Sequence, residues 1–284
     1  PHRLLAVTFT NRAAREMRGR IETQIDSRLQ VRNVGTFHAL CARLLRQESE
    51  NTERTKDFVI YDSADQRVLI KESMQYHRID DTRYKPQSIH STISTAKNDL
   101  IGVSDFNRDS YYHEIVARVY ERYQYLLHQN NALDFDDLLA EAVFLLRDNT
   151  AVREHYQNLY QKILVDEFQD TNLAQYTLLG LLSGKYSDLF VVGDPDQSIY
   201  RWRGADYRNV RRFQTDYPDA EVIFLRQNYR STQTILDAAT AVIDKNHSGD
   251  TIRLFTDTSG GEKIYIHEAK NEKKEAQYVV KAIK

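Results

Sequence analysis

The sequence is poor in the residues that build special scaffolds. It has one cysteine, Cys41, so no internal disulfide framework can form and the chain suits a reducing, cytoplasmic setting. Cys41 lies between Leu40 and Ala42 on an apolar helical face and reads as a small buried hydrophobe. No stretch approaches the roughly 18 apolar residues of a membrane span, and no signal peptide opens the chain. Internal repeats and low-complexity tracts are absent. Neither sign of charge is in excess: 39 Lys and Arg against 41 Asp and Glu leave a formal net charge of -2. A binder that works by bulk positive charge is therefore excluded, and any polyanion contact must come from local patches and stacking.

What remains is an ordinary core-forming chain. Apolar residues make up 41% of 284, enough for two domains or one with a large insertion. The unusual abundance is aromatic, with 18 Tyr and 11 Phe beside a single Trp. The chain opens on Pro1, and residues 4–7 already read as a buried strand. The last helix, from Glu272, reaches Lys284 without a stop signal. Both ends lead us to expect a fragment of something longer.

Along the chain, Thr10 or Asn11 can cap a helix over 12–25. Residues 31–34 suggest a second strand, and Leu40, Leu44 and Leu45 mark a helix. From about 47 to 130 the pattern turns helical. Ser63, Ala64, Asp65 and Gln66 form a capping-box pattern, Pro86 opens a helix through Ile89, Ile93 and Ala96, and Ile115, Val119, Tyr123 and Leu126 line a long one. Strand–helix alternation then returns. Helices are expected over 134–147, 174–182 and 232–245, and strands over 162–165, 189–192, 222–225 and 263–267. Continuous apolar strands between helices imply a parallel α/β sheet covered on both faces, with ligands at its carboxyl edge.

Four strings carry chemistry. Ile163-Leu164-Val165-Asp166-Glu167-Phe168-Gln169-Asp170 delivers an acidic pair at a strand end. Asp166 suits a hard divalent cation shared with nucleotide phosphates, and Glu167 can polarise an attacking water. Gly193-Asp194-Pro195-Asp196-Gln197-Ser198-Ile199-Tyr200-Arg201-Trp202-Arg203 offers Gln197, an uncharged donor and acceptor suited to a terminal phosphate and a water. Trp202, between two arginines, suits a stacked base. Gln227-Asn228-Tyr229-Arg230-Ser231 supplies a guanidinium that can grip phosphate and a ring that can stack on adenine, with Ser231 as a possible cap. Phe9, and the corner at Thr36, Phe37 and His38, stand where strands hand over to helices. Asp134, Phe135, Asp136 and Asp137 alone would read as a solvated helix cap.

In this order, with these gaps, the strings resemble the superfamily-one DNA helicases of the UvrD/Rep/PcrA group. TFTNRAAREM, TFHALCARLLR, LDFDDLL, LVDEFQDTN, VVGDPDQSIYRWRGAD and QNYRST match the family motifs from end to end, although Tyr is common where Phe168 stands and Ser where Ala39 stands. Helicase–nuclease relatives of the RecB kind tend to carry Lys for Asp196 and Phe for Trp202, so the pattern here is the simpler one.

The resemblance implies a RecA-like parallel sheet over 1–46 and 131–225, an all-helical insertion over 47–130, and the start of a second RecA-like domain over 226–284. It implies ATP and Mg²⁺ as cofactors, Asp166 on the metal and Glu167 as base. It places Gln197 and Arg230 on the γ-phosphate, Tyr229 on adenine, and Phe9, Thr36, His38, Trp202 and Arg203 on single-stranded DNA. The expected activity is 3′-to-5′ translocation with unwinding of duplex DNA and no membrane partner. No G-x-x-x-x-G-K-[ST] occurs, so the chain alone is expected to be inactive. The competing expectations are a motor-dead DNA-binding or regulatory module, and the helicase part of a helicase–nuclease.

Overall fold

The computed structural model describes residues 2–24, 33–184, 188–200, 205–206, 208–245 and 253–283. The chain divides into two compact units, Pro1–Pro218 and Asp219–Lys284.

The first unit is built on four parallel strands in the order β2-β1-β5-β6: β1 (Leu4–Thr8), β2 (Val34–Thr36), β5 (Lys162–Val165) and β6 (Leu189–Val191). Val7 pairs with Gly35 and Val165, and Val165 pairs with Val191, so all four strands end at one level. Alternation along the strands feeds two cores. Leu5, Val7, Ile163 and Val165 are buried with residues of α2 (Phe37–Gln47), α6 (Phe135–Asp148), α7 (Thr150–Leu159) and α8 (Leu173–Ser183). Ala6, Val34 and Leu164 face the other way, against Met17 and Ile21 of α1 (Asn11–Gln24). Cys41 is fully buried in the larger core, and burial pushes its thiol up to about 12.

Between α2 and α6 lies the helical block, with α3 (Ser63–Tyr76), α4 (Pro86–Asn98) and α5 (Tyr111–Gln129) around a separate core of Leu69, Ile93, Val119 and Tyr123. The block is closed at its base by two short parallel strands not expected from the sequence, β3 (Val59–Ile60) and β4 (Ala132–Leu133). The capping box of α3 uses Asp62 and Asp65, one residue earlier than the Ser63 pattern suggested, because Asp62 Oδ1 accepts from both Ala64 and Asp65. Thr10 caps α1 as expected, accepting from Ala13.

α9 (Arg208–Asp216) completes the first unit. The second holds α10 (Gln233–Ile243) and α11 (Glu272–Ile283). Two expected strands are absent. Residues 222–225 and 263–267 form no strand, and Leu225 and Ile266 are 78% and 95% exposed. A buried apolar strand needs a ladder on each edge, and the described residues of this unit supply one bridge, Gln227 to Phe255. Ser231 does not cap α10. Thr232 holds the N-cap position, and Asn228 Oδ1 binds the amides of Arg230 and Ser231 instead.

Candidate functional site

The site starts where β5 stops. Asp166 continues the ladder on one side, its amide donating to Val7 at 3.0 Å, and Phe168 donates to Val192 on the other at 2.9 Å. Between those anchors Glu167 adopts φ 54, ψ 42, the left-handed region. A non-glycine residue there costs on the order of 1–3 kcal/mol and persists only where its surroundings dictate it. Here the two flanking ladder bonds dictate it, and Glu167 stands exposed at the sheet edge. Burial, then the neighbouring Glu167 charge, raises the Asp166 carboxyl above its ordinary value.

A tight turn, Phe168–Asp170, follows. Phe168 is buried against Tyr176 and Phe213. Gln169 is 1% exposed, and its side chain donates to Glu167 Oε2 at 2.8 Å while accepting from the Asp194 amide at 3.0 Å. Burial and the Glu167 charge push Asp170 up to about 6, and its Oδ1 is buried without a hydrogen-bond partner. Thr171 and Asn172 lock the exit of the turn: Thr171 Oγ1 donates to Phe168, and Asn172 with Gln175 forms the capping box of α8.

The loop after β6 closes on this turn. At Gly193 an added Cβ would lie 2.8 Å from Gln169 Oε1 and 3.2 Å from its amide, so only glycine allows the approach. Asp194 caps the turn Pro195–Gln197 and accepts from Gln197 Nε2 at 2.6 Å. The structure therefore links Glu167 and Gln197 through Gln169 and Asp194, beside Asp166 at the end of β5. Trp202 and Arg203 lie outside the described residues. Tyr229 and Arg230 lie in the second unit, where Tyr229 is 82% exposed and its hydroxyl donates to Gln227.

The same carboxyl edge carries an aromatic row. Phe9, just past β1, stacks on Tyr200 at 5.3 Å and 28°. His38, at the start of α2, meets Phe135 edge-on at 5.8 Å, and burial lowers its pKa. Phe135 is 46% exposed. Thr36 is buried and caps α2, accepting from Ala39. Beside it, a cleft between α1, β2 and α2 gathers Arg15, Arg18 and Arg43.

Sequence reasoning gave no role to Gln169, Tyr200 or Phe135, although all three stand inside the motif strings. The acidic start of α6, which alone would read as a solvated cap, is a cap but a buried one. Asp134 and Asp137 are each 2% exposed and hold the Lys97 ammonium, so this is no solvated cap. The available signal was a lysine directly after the apolar stripe Ile89, Ile93 and Ala96.

A four-stranded parallel sheet flanked by helices, with an acidic pair at the end of one inner strand and a polar loop after the next, defines a RecA-like core. Residues 1–218 match the UvrD/REP helicase N-terminal domain and 223–284 the UvrD-like helicase C-terminal domain. The chain belongs to the UvrD/REP helicase family. It is 46% identical over its whole length to the ATP-dependent DNA helicase PcrA of Staphylococcus epidermidis and 45% identical to that of Staphylococcus aureus. It spans 39% of the length of those relatives.

Proposed function

We propose that this chain is part of an ATP-driven motor that translocates 3′-to-5′ along single-stranded DNA and unwinds duplex. The observation that carries the reading is the linked set Glu167, Gln169, Asp194 and Gln197 beside Asp166 at one sheet edge. Glu167 would take the proton of the attacking water. Gln197, an amide with both a donor and an acceptor, would sense the γ-phosphate and that water. By the family pattern, Tyr229 would stack on adenine and Arg230 would grip the γ-phosphate. The helical block serves as the insertion of the first core domain.

Among the described residues no group of three or more His, Cys, Asp or Glu could hold a metal unaided. The acidic pair Asp166 and Glu167 at the end of β5 fits Mg²⁺, which is bound through one or two carboxylates together with nucleotide phosphates and water. Asp166 would hold it, and the ion would neutralise charge developing on the transferred phosphoryl group.

For DNA, the Phe9–Tyr200 stack and the His38–Phe135 pair would offer rings to bases, and Trp202 would stack a base as well. Arg203 and the arginines beside Thr36 suit the phosphate backbone. The retained geometry around Glu167 weighs against a module that has lost its motor.

The sequence holds no G-x-x-x-x-G-K-[ST], so the chain by itself should hydrolyse ATP poorly for want of a phosphate cradle. DNA-stimulated ATP hydrolysis tests both parts. The longer protein should turn over and lose activity with Glu167→Gln, while this chain alone should not. Robust turnover by the chain alone, abolished by Glu167→Gln, overturns the second part. A longer protein without DNA-stimulated turnover overturns the first.

A further inference from the structure

We infer that Gln169 is the positioning residue of this site: one side-chain amide fixes the Glu167 carboxylate and, through its other end, the loop that bears Asp194 and Gln197. The inference rests on the hydrolytic reading above and goes beyond it by assigning a residue that touches no substrate.

The chemistry of the two partners fixes what residue 169 must be. An ionised carboxylate only accepts hydrogen bonds, and a backbone N–H only donates. A side chain that satisfies both must present one donor and one acceptor a short distance apart. Glutamine does this, with Nε2 at 2.8 Å from Glu167 Oε2 and Oε1 at 3.0 Å from the Asp194 amide. Glutamate would keep the bond to Asp194 and set oxygen against oxygen at Glu167. Methionine would fill the same space and lose both bonds. The two partners also settle the orientation of the amide, since a flip would break both contacts.

Gln169 is itself held from several sides. It is 1% exposed, its backbone carbonyl accepts from Ser198 Oγ at 3.4 Å, and a Cβ added at Gly193 would lie 2.8 Å from its Oε1 and 3.2 Å from its backbone amide. Glu167 is exposed and sits in a strained backbone conformation. A long carboxylate side chain in that setting has rotamers to spare. A bond from a buried, rigid amide selects one of them. Because Asp194 accepts from Gln197 at 2.6 Å, the same amide ties the base to the residue proposed to sense the γ-phosphate. Base and sensor are thus set in register by a group that takes no part in bond making.

The test is steady-state ATP hydrolysis by the full-length enzyme at saturating single-stranded DNA. Unmodified enzyme and Glu167→Gln come first. Absence of DNA-stimulated turnover in the unmodified enzyme ends the hydrolytic reading and takes this inference with it. Given turnover, Gln169→Glu and Gln169→Met should lower kcat by about 10- to 100-fold while KM for ATP stays within about twofold, the pattern of an interaction expressed in the transition state. Melting temperatures show whether each variant folds. If the extra carboxylate unfolds Gln169→Glu, the uncharged Gln169→Met carries the test. A purely structural role would not be silenced by removing the base, so Gln169→Met is also made in the Glu167→Gln background. A smaller loss of kcat than in the unmodified background is expected there, because only the tie to the loop bearing Asp194 and Gln197 is left to break. Two outcomes overturn the inference: folded Gln169 variants with kcat within about twofold of the unmodified enzyme, or losses that multiply in the double variant.

Discussion

Lys97 Nζ lies 2.6 Å from Asp134 Oδ2, and both side chains are sealed from solvent. Asp137 Oδ1 approaches the same ammonium at 2.7 Å, and Tyr123 donates to Asp134 at 2.8 Å. Lys97 lies in the last turn of α4 of the helical block, while Asp134 and Asp137 form the capping box of α6 under the sheet. The next residue, Asn98, donates to Asp136 and accepts from Asn172, the cap of α8. Burial alone would neutralise Lys97, but the two aspartates outweigh it and keep the ammonium charged.

Lys97→Met should unfold the first unit far more easily. Removing one member of a buried ionic group leaves the other charges unpaired, at a cost of about 3–5 kcal/mol. Urea unfolding followed by circular dichroism measures this. A loss below about 1 kcal/mol would class the group with ion pairs that merely break even against desolvation.

Asp137 gives the unit a pH dependence. Burial, then the Asp134 charge, pushes it up to about 7. Its folded value lies above its unfolded one, so this contribution to stability is complete below the ordinary value of 3.8 and is lost as pH rises toward about 7. For Asp134, burial is outweighed by Lys97 and its hydrogen bonds, so its pKa is lowered and its own effect falls at more acid pH. Asp137→Asn should therefore flatten the decline in unfolding free energy between about pH 4 and pH 7. An unchanged slope relative to the unmodified chain would show that Asp137 is ionised throughout.

Gly193→Ala should displace the loop after β6. The new Cβ would meet Gln169 Oε1 at 2.8 Å, and that oxygen is already committed to the Asp194 amide. A destabilisation of about 1–3 kcal/mol is expected, the usual cost of overpacking. The melting temperature of this chain reads it, and an unshifted value would mean that the turn yields freely.

Phe9→Ala and Tyr200→Ala should each weaken single-stranded DNA binding by about 1–3 kcal/mol if their rings stack bases. Because the rings stack on each other, the double substitution should cost less than the sum. Anisotropy of a labelled oligothymidine reports both. Strict additivity would indicate that the two rings act apart.

Much of this architecture was legible because apolar runs and polar strand ends are local signals. β1, β5 and β6 follow from three- or four-residue apolar stretches, and Asp166 and Glu167 follow from standing at the end of one. Gln169 could be placed but not understood, since its two partners lie two and 25 residues away and only the fold brings them together. Lys97 was invisible for a related reason: a charge on a helix reads as solvated until its partners, 37 residues on, are known. Residues 222–225 show the opposite failure. Their sequence has every local mark of a buried strand, yet a strand also needs neighbours, and a ladder is not a property of one segment.

The clip formed by β3 and β4 makes the helical block separable on paper. Val59 pairs with Ala132 and Ile60 with Leu133, so the chain leaves the core and re-enters it about 5 Å apart, the spacing of neighbouring strands. Such a junction is the signature of a module that can be spliced into a host without stretching it. The block could be cut out and its ends rejoined by a few residues, but Asp134 and Asp137 would then face a core without Lys97. A chain shortened this way must also lose those two charges, because the ionic group is what ties the block to the helices under the sheet.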